Sequence, residues 1–318
     1  MLLSVVIPCY NSQNTIRKVV ELTRNIISTM DELKAEFILV DDYSPDGTME
    51  EIWKLAEDYP EVKGIHLSRN FGQHNAIMAG LHFAHGDYIL GMDDDLQTHP
   101  SQIPLFIEKM NEGYDVVFGI FRERKFGFIK NLESSAASFL QWHMVRRPRG
   151  IQASNYWCCR RYVRDEIIRY TNNSLYLQML FFRTTSHIAN IEIEHFARES
   201  GSSNYNFRKS LRLFMGFTNY SVVPLRISSV MGGLFSAAGF TGAVVVLIRK
   251  LIHPGIAIGW SSLMCALLVF FGITFLMLGI LGEYIGNLIL DQSKTPQFII
   301  RDTVNTESAD GTLQKGKD

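Results

Sequence analysis

The chain is predicted to be an α/β protein with a mostly parallel central sheet, followed by a C-terminal pair of membrane-spanning helices. Three features predict this. Short apolar strands alternate with amphipathic stretches through the first third of the chain, polar clusters stand where those strands end, and two long apolar runs lie near the C-terminus. Such alternation implies parallel strands covered by helices on both faces.

Leu3-Ser4-Val5-Val6-Ile7 is a β-rich run ended by Pro8. Thr15 to Met30 is amphipathic, with Ile16, Val19, Val20, Leu22, Ile26 and Ile27 at helical spacing. Phe37 to Val40 is a second strand, ended by Asp41-Asp42, and Met49 to Asp58 a second helix. Val62 to Leu67 and Asn75 to Ala84 supply the third strand and helix, and Tyr88 to Met92 a fourth strand ended by Asp93-Asp94-Asp95. Ligands of such sheets bind at the carboxyl ends of strands, here marked by Asp41-Asp42, Arg69-Asn70 and the three aspartates. No G-x-G-x-x-G follows the first strand, which argues against a dinucleotide-binding domain.

The 318 residues suffice for one large domain and an appendage. A net charge of -1 leaves no global basic field for nucleic acid. Cys9, Cys158, Cys159 and Cys265 fit neither a disulfide framework nor a zinc site, so a reducing compartment is expected. The first apolar run is too short for a signal peptide and lacks a basic start.

Charge is distributed unevenly. Ile227 to Ile248 carries none, and Leu263 to Ile285 carries only Glu283. Each run is about 22 residues, which at ~1.5 Å per residue spans the ~30 Å hydrocarbon core. Buried core helices are the alternative, but these normally show a polar stripe. Glycines 232, 233, 239 and 242 in the first run and 272, 279 and 282 in the second permit close packing, as a hairpin or between copies. Arg208, Lys209, Arg212 and Arg226 precede the first span, and Lys294 and Arg301 follow the second. The positive-inside rule therefore places both ends in the cytoplasm, against which Arg249 and Lys250 in the connection weigh slightly. The expected organisation is a cytoplasmic catalytic domain (1–206), an amphipathic juxtamembrane segment (207–226), two spans within 227–290 and a polar cytoplasmic tail (291–318), disordered beyond Asp302.

Asp93-Asp94-Asp95-Leu96-Gln97 is the sharpest chemical signal. Adjacent carboxylates repel one another unless something positive sits among them. In an extended segment Asp93 and Asp95 face one side, and two hard oxygen donors suit Mg²⁺ or Mn²⁺ bridging a diphosphate. The competing reading is a solvated acidic turn. His74, His82 and His85 are read as helical surface residues rather than a metal site.

Four segments then carry a resemblance: Val6-Ile7-Pro8-Cys9-Tyr10-Asn11, Val40 to Thr48 (VDDYSPDGT), Leu67-Ser68-Arg69-Asn70-Phe71-Gly72, and Met92 to Gln97. Their order and spacing resemble family-2 glycosyltransferases of the GT-A fold. Arg198-Glu199-Ser200-Gly201-Ser202-Ser203-Asn204-Tyr205 and the paired apolar runs narrow the resemblance to polyprenyl-phosphate glycosyltransferases. That group includes bactoprenol glucosyltransferases, undecaprenyl-phosphate formamido-arabinose transferases and, more distantly, dolichol-phosphate mannose synthases. The resemblance implies transfer of a sugar, with inversion, from a nucleotide sugar (uridine diphosphate before guanosine diphosphate) to polyprenyl phosphate at the inner membrane. It also implies a homo-oligomer, by analogy a tetramer.

Site roles follow from the same resemblance. Pro8, Tyr10, Asn11 and Asp42 would hold the nucleoside, and Arg69, Asn70 and Asp94 would lie beside the donor. Asp93, Asp95 and Gln97 would hold the metal and diphosphate. Arg122, Arg124, Lys125, Arg198 and Ser203 would bind phosphate, with Arg198 also counted as catalytic. Four positions depart from the family pattern: Ser12 for an acidic residue, Tyr43 for a common glycine, Asn155 for an acidic residue, and Asn204 for lysine. Two other readings stay open: a polysaccharide synthase, although the Gln-x-x-Arg-Trp element of processive enzymes is missing, and a nucleotide-sugar-binding scaffold without catalysis.

Overall fold

The computed structural model describes residues 1–30, 32–121, 150–172, 176–194, 259–292 and 296–306, with residue 148 and scattered positions between 230 and 252. The chain divides into two units, Met1–Asn206 with Lys294–Asp318, and Phe207–Ser293.

The first unit is built on an eight-stranded sheet, ordered β7-β5-β6-β4-β1-β2-β3-β8. Its strands are β1 (Leu2–Cys9), β2 (Lys34–Asp41), β3 (Val62–Leu67), β4 (Tyr88–Gly91), β5 (Val116–Phe121), β6 (Trp157–Arg160), β7 (Ile188–Ile193) and β8 (Ile300–Val304). The pairs β1–β2, β1–β4, β2–β3 and β5–β7 are parallel, while β6 and β8 run antiparallel to their neighbours. From Leu3 to Cys9 every residue of β1 is buried, as expected of a central parallel strand covered on both faces.

The helices are α1 (Ile16–Ser28), α2 (Thr48–Asp58), α3 (Gln73–Leu81), α4 (Ile103–Asn111), α5 (Arg161–Ile167), α6 (Leu177–Thr184) and α7 (Trp260–Gln292). In α1, Ile16, Val19, Val20, Thr23 and Ile27 form the buried stripe that periodicity predicts. Residues Ala76 to Leu81 of α3 are all buried. At Gly80 an added Cβ would come within 2.6 Å of Val6 and 3.0 Å of Val40, so the missing side chain lets α3 lie close on the sheet. That contact fixes where Gln73, the first residue of α3, stands at the carboxyl end of the strands. At Gly91 an added Cβ would lie 2.3 Å from the Trp157 indole, which is wholly buried. The last residue of β4 is thus pressed onto β6 two residues before the first of the aspartates.

The C-terminal segment differs from expectation. Residues Ile300 to Val304 are a strand, pairing Gly64 with Val304, Ile65 with Thr303 and His66 with Asp302, so Thr303 and Val304 are ordered where disorder was expected to begin beyond Asp302; residues 307–318 lie outside the described residues. Asn305 Nδ2 donates to the carbonyls of Ala56 (2.7 Å) and Val62 (3.1 Å) and anchors the strand's end. The physical reason is the bare edge of β3: its unpaired backbone groups accept a further strand, and Gly64 leaves room for Val304.

In the second unit α7 runs 33 residues without a break. Leu263, Leu267, Phe270, Phe271, Phe275, Leu278, Leu281 and Ile285 are exposed on it. They recur three and four residues apart and therefore share one face. A Cβ on Gly232 would stand 3.4 Å from the Met277 sulfur, so the expected first span touches α7 there. Among the described residues no helix is long and apolar enough to cross a membrane. Most of 227–248, and many side chains of α7, lie outside the described residues.

Candidate functional site

The strand order reverses at β1, which has β2 on one side and β4 on the other. Crevices of this kind take ligands at the carboxyl ends of the strands. Here a cavity of about 460 Å³ is lined by Pro8, Cys9, Tyr10, Asp42, Asn70, Gly72, Gln73, Asp93, Asp94, Asp95, Gln97 and Asn155. Sequence reasoning named eight of these: Pro8, Tyr10, Asp42, Asn70, Asp93, Asp94, Asp95 and Gln97. A larger cavity, about 880 Å³, lies at the opposite ends of β2 and β3. Its buried Glu36 accepts from Lys63 Nζ (2.7 Å), the Ser4 hydroxyl and the His85 backbone, so its carboxylate is already satisfied from within the protein. Burial opposes its charge, yet those donors hold Glu36 below the ordinary carboxylate range.

The aspartates do not sit in an extended segment, so the alternation argument for Asp93 and Asp95 fails. Thr98 Oγ1 accepts from Asp93 N at 3.0 Å and folds the loop back on itself, and Asp95 Oδ1 accepts from Gln97 N at 3.1 Å. Leu96, at φ 61°, turns its buried side chain into the core. The bend still presents all three carboxylates and Gln97 to one cavity. Asp93 accepts from Gln73 Nε2 (2.7 Å), and Asn155 lines the same cavity. Asp94 accepts from Tyr10 N (3.2 Å) and the Ser12 hydroxyl. Burial, then the charges of Asp95 and Asp94, push Asp93 up to about 7. Burial likewise raises Asp94 and Asp42, although Asp42 accepts from the N–H groups of Phe71 (2.7 Å) and Gly72 (2.8 Å).

Two expected residues stand apart from the cavity wall. Asn11, at φ 58°, gives its N–H to the Ser44 hydroxyl, and the Arg69 guanidinium lies 4.7 Å over the Phe71 ring. Arg122, Arg124, Lys125, Arg198 and Ser203 lie outside the described residues. Cys9, Gly72 and Gln73 were missed, since nothing in their spacing marks them before α3 is docked. His74, expected on a helix surface, is instead mostly buried against Tyr176, and burial lowers it to about 4.

Among the described residues no three Asp, Glu, His or Cys side chains converge as a ready-made metal centre. The donor set nevertheless fits a divalent cation that arrives with a diphosphate. Magnesium-like ions take one or two carboxylates from the protein and the remaining oxygens from phosphates and water. The upward push on Asp93 records burial first and then the negative charges of Asp95 and Asp94, and a cation would relieve both.

Three departures from the family pattern find physical reasons. Ser12 donates to Asp94, where an acidic side chain would face a buried carboxylate. Tyr43 occupies the left-handed region at φ 58°, where glycine is unstrained, with its ring stacked on His66 and half exposed. Asn155 lines the cavity, where its Oδ1 accepts from Gln178 Nε2 at 2.9 Å and no further negative charge joins the three aspartates. Replacing Ser12 by Glu is expected to destabilise the first unit by ~2–4 kcal/mol, from like charges about 4 Å apart at an effective dielectric near 20. The unfolding midpoint would fall by roughly 5–10 °C, and adding Asp94→Ala should recover most of it. A Ser12→Glu protein melting with the parent would show that the two side chains do not meet.

Comparison with known proteins agrees with this geometry. Residues 4–185 match the model of glycosyl transferase family 2. The undecaprenyl-phosphate 4-deoxy-4-formamido-L-arabinose transferase of Proteus mirabilis is 33% identical over 96% of this chain and 94% of its own. In fold, the chain is similar to mannosyl-3-phosphoglycerate synthase from Rubrobacter xylanophilus (TM-score 0.53, 15% identity, 72% of this chain and 75% of that one). It is also similar to glucosyl-3-phosphoglycerate synthase from Mycobacterium tuberculosis, solved with Mn²⁺, uridine diphosphate and its product (TM-score 0.52, 19% identity, 70% and 80%). With its carboxylates gathered at the switch point of a mostly parallel sheet and a family match over more than half its length, the chain belongs to glycosyl transferase family 2.

Proposed function

We propose that this glycosyltransferase moves a sugar from a nucleoside diphosphate sugar, with uridine the favoured nucleoside, to undecaprenyl phosphate. The observation that carries the donor half is the convergence of Asp42, Asn70, Asp93, Asp94, Asp95 and Gln97 on one crevice. The acceptor half is supported by a relative named for undecaprenyl phosphate, whose likeness covers 96% of this chain and so includes the apolar unit.

Pro8, Tyr10 and Asp42 hold the nucleoside, with Asn11 and Arg69 beside that pocket. Asp93, Asp95 and Gln97 hold Mg²⁺ or Mn²⁺ against the diphosphate. Bound there, the cation offsets the charge that develops on the departing nucleoside diphosphate. The acceptor phosphate has a second pKa near ~6, is largely ionised at neutral pH, and needs little help from a base. Asn155, which cannot take a proton, is compatible with that. Attack in a single displacement inverts the anomeric carbon. Arg122, Arg124, Lys125, Arg198 and Ser203 are assigned to phosphate, for which the planar arginine fork is suited.

The apolar unit is assigned to the inner membrane as two crossings, 227–248 and 263–285. The apolar sequences of the two runs, whose one charge is Glu283, support this. β8 supplies a separate argument. The chain leaves the sheet before the apolar unit and rejoins the same sheet after it, which supports a pair of crossings over a single one. This agrees with the positive-inside reading. Among the described residues Gly272, Gly279, Gly282 and Gly286 have nothing within 4 Å of an added Cβ, which supports a surface on which copies of the chain can pack.

The test is a panel of labelled nucleotide sugars assayed with the full chain, undecaprenyl phosphate and Mg²⁺ or Mn²⁺. Label extracted with the lipid is expected. Label in a polymer would favour the synthase reading, and binding of nucleotide sugar without label in either would favour the scaffold.

A further inference from the structure

One imidazole holds the chain on both sides of Asp42. His66 stands opposite Asp41 in the parallel pairing of β3 with β2. Its Nδ1 lies 2.7 Å from Asp41 Oδ2, and the Asp41 side chain is wholly buried. A carboxylate oxygen at that distance takes a hydrogen-bond donor, so Nδ1 faces it and carries the hydrogen. The ring turned over would set a carbon there instead. Asp41 also accepts from the Ser44 N–H at 3.2 Å. A buried carboxylate is costly unless donors meet it, and His66 is the side chain that does so.

The same ring supports Tyr43. Their centroids are 5.9 Å apart and their planes 24° from parallel. Tyr43 sits at φ 58°, a setting that costs any residue with a side chain, and the ring contact offsets part of that cost. Asp42 lies between these two anchored neighbours. Its N–H donates to the Cys9 carbonyl at 3.0 Å, and its carboxylate accepts from Phe71 N (2.7 Å) and Gly72 N (2.8 Å). Asp42 also lines the cavity. The direction of its side chain depends on the backbone of residues 41 to 43, and His66 pins that backbone before and after it.

We infer that His66 is a positioning residue for donor binding: it grips Asp41 by a hydrogen bond and Tyr43 by a ring contact, and so fixes Asp42 toward the nucleoside. The inference rests on the reading of Asp42 as a nucleoside contact given above. The contacts of His66 run to the turn after β2 rather than to the aspartates after β4. Its effect therefore falls on donor affinity and not on the transfer step.

The experiment titrates the full chain in detergent with uridine diphosphate and Mn²⁺ by calorimetry, and measures kcat and donor KM with undecaprenyl phosphate. His66→Leu removes both supports. It is expected to weaken uridine diphosphate binding and raise donor KM by about tenfold, the scale of one lost hydrogen bond to a carboxylate, with kcat within about threefold of the parent. His66→Asn sets an amide N–H where Nδ1 stands and should recover most of the affinity. Tyr43→Gly, unstrained at this φ, removes the ring contact and keeps the bond to Asp41. Donor KM should then rise by about threefold, and by no further step when the change is added to His66→Leu. Unchanged affinity and KM in His66→Leu would overturn the inference. So would equal losses in His66→Leu and His66→Asn, or a loss confined to kcat. Should His66→Leu fail to fold, the other two variants decide: unchanged KM in Tyr43→Gly, or a tenfold loss in His66→Asn, overturns it. A parent protein that bound no uridine diphosphate would remove the nucleoside reading itself, whereas a binding parent with unaltered variants would remove the role of His66 alone.

Discussion

Asp95→Ala is expected to lower transfer by about 10³-fold, the scale of removing one element of charge stabilisation from a water-poor site, while leaving the fold intact. Asp95 stands on a loop closed by Thr98 and Asp93, and its removal leaves that closure in place. A carboxylate gone from the cavity also removes one of the two charges that raise Asp93. The variant should therefore melt no lower than the parent. Both readings come from one preparation: labelled sugar in the lipid extract, and a thermal melt. Transfer within threefold of the parent would defeat the assignment of Asp95 to the cation and diphosphate.

Asp93→Asn is expected to act in opposite directions on stability and activity. The folded protein holds the Asp93 proton up to about pH 7, whereas the unfolded chain releases it near the ordinary carboxylate value of ~3.9. Between those values the native state binds more protons than the unfolded state. The stabilisation present below about pH 4 is therefore lost as pH rises to about 7 in the metal-free protein. Asparagine never ionises and removes that dependence. Metal-free Asp93→Asn should be more stable than the parent at pH 8 by ~2–4 kcal/mol, the linkage value of a shift of this size, with little difference at pH 4. Transfer should fall by at least 10²-fold. Mn²⁺ with uridine diphosphate should raise the parent's melting temperature at pH 8 and leave that of the variant almost unmoved. Parallel pH–stability curves for the two proteins would show that Asp93 carries no such burden.

The four expected strands and three expected helices all stand within a few residues of where periodicity put them. The reason is local: β1 and β2 are continuous apolar runs between polar ends, and α1 and α2 have stripes that only a 3.6-residue period explains. The acidic loop was equally legible, because three adjacent carboxylates after a buried strand need no partner in sequence to be noticed. The return of Ile300–Val304 to β3 was hidden, since five residues of ordinary composition declare themselves a strand only beside an unpaired edge.

By itself, then, the amino-acid sequence determined the alternation of strands and helices, the carboxylates at the end of β4, the apolar runs near the C-terminus and the likeness to glycosyl transferase family 2. All of these are properties of contiguous residues. Tertiary structure alone decided that the aspartates bend around Thr98, that Ser12 rather than an acid faces Asp94, that Arg69 lies on Phe71, and that Gln178 stands behind Asn155. Each of those contacts joins side chains whose directions are set by how α3, α6 and β6 pack on the sheet, and packing is a property of the whole fold.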